Sequence, residues 1–126
     1  MKSSKQNIKV NFFLLGLFLF IGITLSAQNK NAKATIEVDG VCLMCKDRIE
    51  KASIKTKGVK SAVWNIETHE LNLVYDERKT DLIQIQEGIA AVGHDTLEII
   101  ATDEAYASVH PCCKYRSDEI IEDHEN

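Results

Sequence analysis

The chain has 126 residues, 44% of them hydrophobic and 27% charged, which is material for one compact domain with additions and argues against wholesale disorder. Its 15 basic and 19 acidic residues give a formal charge of −4, so there is no basic surface for nucleic acid, and that partner class is set aside. No phosphate-cradling glycine loop, no Ser/His/Asp pattern and no paired-carboxylate motif stands above the general acidity, so an enzyme is not expected.

Lys2, Lys5 and Lys9 precede the apolar run FFLLGLFLFIGITL, residues 12–25, and Ser26, Ala27 and Gln28 follow it. A basic start, a short apolar middle and a small residue before a cut predict a secretory signal peptide over residues 1–27. A retained transmembrane anchor is the alternative, but the run is shorter than the ~20 residues that a bilayer core requires. The expectation is an exported protein, periplasmic or secreted, with no stable membrane insertion after cleavage. Cleavage would leave 12 basic against 19 acidic residues, a formal charge of about −7. Export matters for the cysteines too, because an oxidising compartment converts free thiols into disulfides.

Residues 33–40, KATIEVDG, place Ile36 and Val38 on one side of an extended run ended by Gly40, which predicts a first strand. Cys42 and Cys45 follow at a three-residue spacing. From Cys45 to Lys57 the apolar positions 45, 49 and 52 form a helical stripe, and Gly58 stands where a helix would stop. Val59, Ala62 and Trp64, then Leu71, Leu73 and Tyr75, make two strands joined by the polar turn NIETH, a hairpin. Leu82, Ile85, Ile89 and Val92 repeat every three to four residues, with Thr80 or Asp81 as N-cap and Gly93 past the end, predicting a second helix. In TLEIIA, residues 96–101, Leu97 and Ile99 alternate inward as a fourth strand. The order β-α-β-β-α-β predicts an α+β ferredoxin-like sandwich, two helices on one face of a four-stranded antiparallel sheet. Residues 102–126 read as an appended tail with a short helix around Ala105, the chain's only proline, two adjacent cysteines and an acidic end expected to be disordered.

The residues Gly40, Cys42, Cys45 and IEKA at 49–52, in that β-α-β-β-α-β order and with a glycine after the second helix, resemble a heavy-metal-associated domain over residues 33–101. That family supplies soft-metal chaperones, the N-terminal arms of copper-transporting ATPases and small periplasmic mercury-binding proteins. The resemblance implies that Cys42 and Cys45 hold Cu(I), Hg(II) or Zn(II), and that the protein exchanges metal with a metal-transporting membrane ATPase or another metal-binding domain. Two departures stand out. The family usually places Met and one further residue between the glycine and the first cysteine, whereas only Val41 stands there, so the loop is one residue short. Many members carry Tyr where this chain has His94, which makes His94 a candidate third ligand or a donor to one.

Two thiolates on a loop can approach one soft ion from opposite sides, which suits Cu(I). Zn(II) prefers four tetrahedral ligands, so the pair alone leaves its shell incomplete. Cys45 at a helix N-terminus is expected to favour its thiolate. The same CxxC at a helix start also suits thiol-disulfide exchange, although the proline that such proteins set against their thiols has only Pro111 to fill it. A stable disulfide in an interaction module is the third reading. His110, Cys112 and Cys113 are further candidates, either folding over the clip or forming disulfides, and sequence does not select among the cysteine pairings. Met44 is a thioether near the pair and is read as packing. His69 and His124 are read as solvated surface residues.

Overall fold

The computed structural model describes residues 27–125. The expected leader therefore lies outside the described residues, apart from Ala27.

Strand β1 (Ala32–Glu37) is followed by helix α1 (Leu43–Lys55), then by the hairpin of β2 (Val59–Trp64) and β3 (Glu70–Tyr75), and by helix α2 (Leu82–Ala91). The sheet is antiparallel with β3 in the centre, order β1-β3-β2. Leu71, Leu73 and Tyr75 alternate inward from β3 and meet Ala62 and Trp64 of β2. Val59 and Ala62 lie three residues apart rather than two, and a register shift between Val59 and Ser61 accommodates them, the extra residue of a β-bulge. The apolar stripe of α1 (Cys45, Ile49, Ala52) and that of α2 (Ile85, Ile89) join these strand residues in one core. Both helices therefore cover the same sheet face, while Lys33, Thr35, Val63 and Asn72 stand exposed on the other. Asp81 caps α2, its carboxylate accepting from the Gln84 N–H at 2.8 Å.

The architecture is α+β and ferredoxin-like, but the fourth strand does not form. The segment 96–101 contributes a single bridge, Val38 with Thr96, and Leu97, expected inside, is 81% exposed. Local hydrogen bonds win over the ladder. The Thr96 N–H donates to the Ile99 carbonyl at 2.8 Å, the Thr96 hydroxyl accepts from the Ile99 N–H at 3.0 Å, and the Asp95 carboxylate accepts from the Ala101 N–H at 2.8 Å. The segment curls into a turn, and Leu97 and Ile100 swing out.

Beyond Thr102 the chain folds back onto the domain through α3 (Asp103–Ala107), a 3₁₀ turn (Pro111–Cys113) and α4 (Asp118–Glu125), the last formed by the acidic end. Val109 and Cys113 enter the same core as the sheet and both long helices, and Tyr115 is buried as well. Among the described residues no helix is long and apolar enough to cross a membrane.

Candidate metal centre

The first half of the site is set by a close approach. A Cβ on Gly40 would lie 3.0 Å from both the Cys45 Cβ and the Trp64 ring, so only glycine lets the loop from β1 press against α1 and β2 at this point. Trp64 is itself pinned there, its indole N–H donating to the Val38 carbonyl at 3.0 Å and to the His69 carbonyl at 3.2 Å. His69 stacks on the Trp64 ring, so it does more than fill the hairpin turn. With Val41 the only spacer, Cys42 takes the N-cap position of α1 and its side chain makes no capping hydrogen bond. Cys45 sits one turn in, fully buried, with its sulfur 3.5 Å from the Val41 N–H.

The tail brings the second half. The 3₁₀ turn delivers Cys113 Sγ to 3.1 Å and Cys112 Sγ to 3.8 Å from Cys42 Sγ, and the two tail sulfurs are 3.8 Å apart. Cys45 Sγ joins through Cys42 at 3.3 Å. All four cysteines are free thiols. Cys42, Cys112 and Cys113 offer sulfurs within 4.8 Å of one another, a spacing that fits one metal ion. Cys113 is buried and Cys112 half-buried, so the cluster is closed on the core side and open at Cys112.

The four sulfurs differ electrostatically. Burial pushes the Cys42 thiol up, but the neighbouring thiols of Cys113, Cys45 and Cys112 and the Cys45 amide outweigh it, and the net shift is downward. Burial pushes Cys45 up, and the Val41 amide offsets only part of that. Cys113 is driven up furthest, first by burial and then by Cys42 and Cys45. The expectation that the helix start favours the Cys45 thiolate is thus corrected to Cys42. The reason is depth: Cys45 faces the core from the first turn, whereas Cys42 stands at the mouth among donors.

His110 caps the 3₁₀ turn, its Nδ1 accepting from the Cys112 N–H at 3.3 Å and lying 3.2 Å from the Cys112 sulfur. The Cys112 thiol donates to the Met44 sulfur at 3.5 Å. His94 is not brought into the sulfur cluster. It is buried, its Nδ1–H donating to the Asp39 carbonyl at 2.8 Å and its ring stacked on Tyr115, which leaves Nε2 buried with no hydrogen-bond partner among the described residues. His124, read as solvated, donates through Nε2 to the Cys112 carbonyl at 3.1 Å. The spacing of twelve residues between them carries no sequence signal.

The tail is held by a latch that sequence reasoning missed. Arg116 pairs with Asp95 through two bonds, at 2.7 and 3.0 Å, and donates to the Ala101 carbonyl at 2.9 Å. The Tyr115 hydroxyl donates to the Gly93 carbonyl at 2.7 Å and accepts from the Asp95 N–H at 2.9 Å. Arg48 of α1 reaches across to the Val92 carbonyl and to Ser108, at 2.6 and 3.0 Å.

The heavy-metal-associated domain family matches residues 35–95. The copper chaperone CopZ of Staphylococcus haemolyticus is 33% identical over 61 residues, covering 48% of this chain and 90% of the relative. Among solved structures, a CopZ metallochaperone superposes with a TM-score of 0.51 at 30% identity, covering 52% of this chain and all of the other. Oxidised MerP from Ralstonia metallidurans gives 0.50 at 25% identity, with 52% and 93% covered. The Cu(I)-loaded N-terminal domain of a potential copper-translocating P-type ATPase from Bacillus subtilis gives 0.50 at 25%, with 52% and 84% covered.

Proposed function

This chain belongs to the heavy-metal-associated domain family, and on that premise we propose that it captures a soft metal ion, Cu(I) ahead of Hg(II) or Zn(II), through Cys42 and Cys45 and passes it on. The observation that carries this reading is the pair of sulfurs 3.3 Å apart at the start of α1, with Cys42 biased toward its thiolate. Thiolates are soft donors and favour soft, low-coordinate ions. Each metal–sulfur bond displaces one thiol proton to water, and the metal keeps its oxidation state. The names of a copper chaperone and of a Cu(I)-loaded ATPase domain among the relatives favour Cu(I) as cargo and a second thiolate-bearing domain, such as that of a metal-transporting ATPase, as partner. Such a domain would receive the ion by bonding to it before the first pair lets go. The leader pattern favours export, with this chemistry in the periplasm or beyond.

Anaerobic titration of the reduced protein with Cu(I), Hg(II) and Zn(II) tests the reading. One tightly held Cu(I) per chain is expected, and Cys42→Ser should weaken uptake at least a hundredfold, about 2.7 kcal/mol. Uptake indifferent to Cys42 would remove the clip.

A second reading draws on the 3.1 Å contact between Cys42 and Cys113, which also suits thiol-disulfide exchange. Rapid reduction of insulin by the dithiol protein, without metal affinity, would favour it over the first.

A further inference from the structure

The family match ends at residue 95, yet two of the four sulfurs at the clip come from beyond it. We propose that Cys112 and Cys113 are metal ligands in their own right. The tail then turns a two-thiol clip into a closed centre of three or four thiolates, and it has to be displaced before the ion can leave. This rests on the clip reading above and extends it.

Sulfur spacing is the first support. A linear two-sulfur site with bonds of about 2.3 Å needs sulfurs about 4.6 Å apart, a trigonal one about 4.0 Å and a tetrahedral one about 3.8 Å. The distances of 3.8 Å from Cys112 to Cys42 and to Cys113 fall at the last of these values. Cys42 with Cys113 at 3.1 Å, and with Cys45 at 3.3 Å, is shorter than any of these spacings, so those two pairs open by about half an ångström or more when an ion enters between them.

The second support is that the tail is held in place by contacts independent of the sulfurs. Tyr115 and Arg116, two and three residues past Cys113, carry the latch to Gly93, Asp95 and Ala101. Val109, ahead of them, is buried against Gly93, where a Cβ would meet its Cγ1 at 2.7 Å. Lys114 donates to the carbonyls of Tyr106 and Ala107, which fixes the turn between the two anchors. Two adjacent cysteines are thus delivered to the clip from both sides, with little freedom to point elsewhere.

Tethering has a kinetic consequence. Groups on one chain meet at an effective concentration in the millimolar range, so the tail thiolates outcompete a free acceptor present at micromolar levels. Transfer begins where the cluster is open, at Cys112: an incoming thiolate bonds to the metal, the Cys112 thiolate leaves and takes a proton from water, and the remaining ligands follow.

The test uses the reduced protein and its Cys112→Ser/Cys113→Ser variant, each loaded anaerobically with one equivalent of Cu(I). X-ray absorption should count three or more sulfurs around the ion in the former and two in the latter. Loss of Cu(I) to a bathocuproine chelator should run about tenfold or more faster in the variant. Equal sulfur counts and equal rates would overturn the proposal and leave the clip standing. Because serine at the buried position 113 could loosen the tail by itself, the unmutated protein is also labelled with N-ethylmaleimide before and after loading. Protection of Cys112 and Cys113 together with Cys42 and Cys45 supports the closed centre; protection of the latter two alone overturns it. Failure of the unmutated protein to take up Cu(I) at all would instead bring down the clip reading, and this one with it.

Discussion

At Cys42 and His94 burial opposes the charged form alike, and only at Cys42 do neighbouring donors outweigh it. Cys42 is buried but ringed by thiol and amide donors, and its thiolate is favoured; His94 is buried beside a carbonyl and an aromatic ring, and burial holds its imidazole below the ordinary range, neutral. A histidine whose folded pKa is depressed binds its proton first in the unfolded chain. Stability of the metal-free protein should therefore fall as pH drops below the unfolded value of about 6.5, by at most ~1.4 kcal/mol per pH unit, and level off below the folded value. Urea unfolding between pH 5 and 8 measures that slope, and His94→Gln should flatten it. The sequence made the cysteine pair legible because a three-residue spacing after a glycine is a local pattern. Which sulfur is the more acidic was not legible, since it depends on Cys113, 71 residues further along the chain.

Among the elements, those with a strong internal period were readable and those decided by neighbours were not. α2 forms where Leu82, Ile85, Ile89 and Val92 recur and Asp81 caps the start. The hairpin forms where Leu71, Leu73 and Tyr75 alternate. TLEIIA alternates too, but the side chains of Asp95 and Thr96 capture its amides, and so short an alternation does not outweigh them. Gly93 marks the junction. Its φ of +99° suits glycine, and a Cβ there would stand 2.5 Å from the Ala105 carbonyl oxygen, where α3 packs. Gly93→Ala should cost about 1–3 kcal/mol in chemical unfolding. The tail should loosen before the sheet does, and faster amide exchange across residues 103–116 than across β1 to β3 is the signature.

The described residues form a three-stranded sandwich closed at its sulfur-bearing end by the tail. Burial pushes the Asp95 carboxyl up, yet Arg116 and the Ala101 amide outweigh it and hold it below the usual carboxylate range. A depressed carboxylate contributes stability that is present above its unfolded value of about 3.9 and is lost as pH falls through the folded one, so the latch is intact at neutral pH and opens only in acid. Asp95→Asn should weaken tail docking by about 2 kcal/mol at neutral pH, read by exchange of residues 103–116, with β1 to β3 unaffected. The sequence by itself determined the α+β class, two helices, three of the four expected strands and the cysteine pair, because each is written in residues a few positions apart. Only the tertiary structure decided that the fourth strand becomes a turn and that Cys112 and Cys113 meet Cys42. Contacts over tens of residues depend on which surfaces can be buried together, and no local period records them.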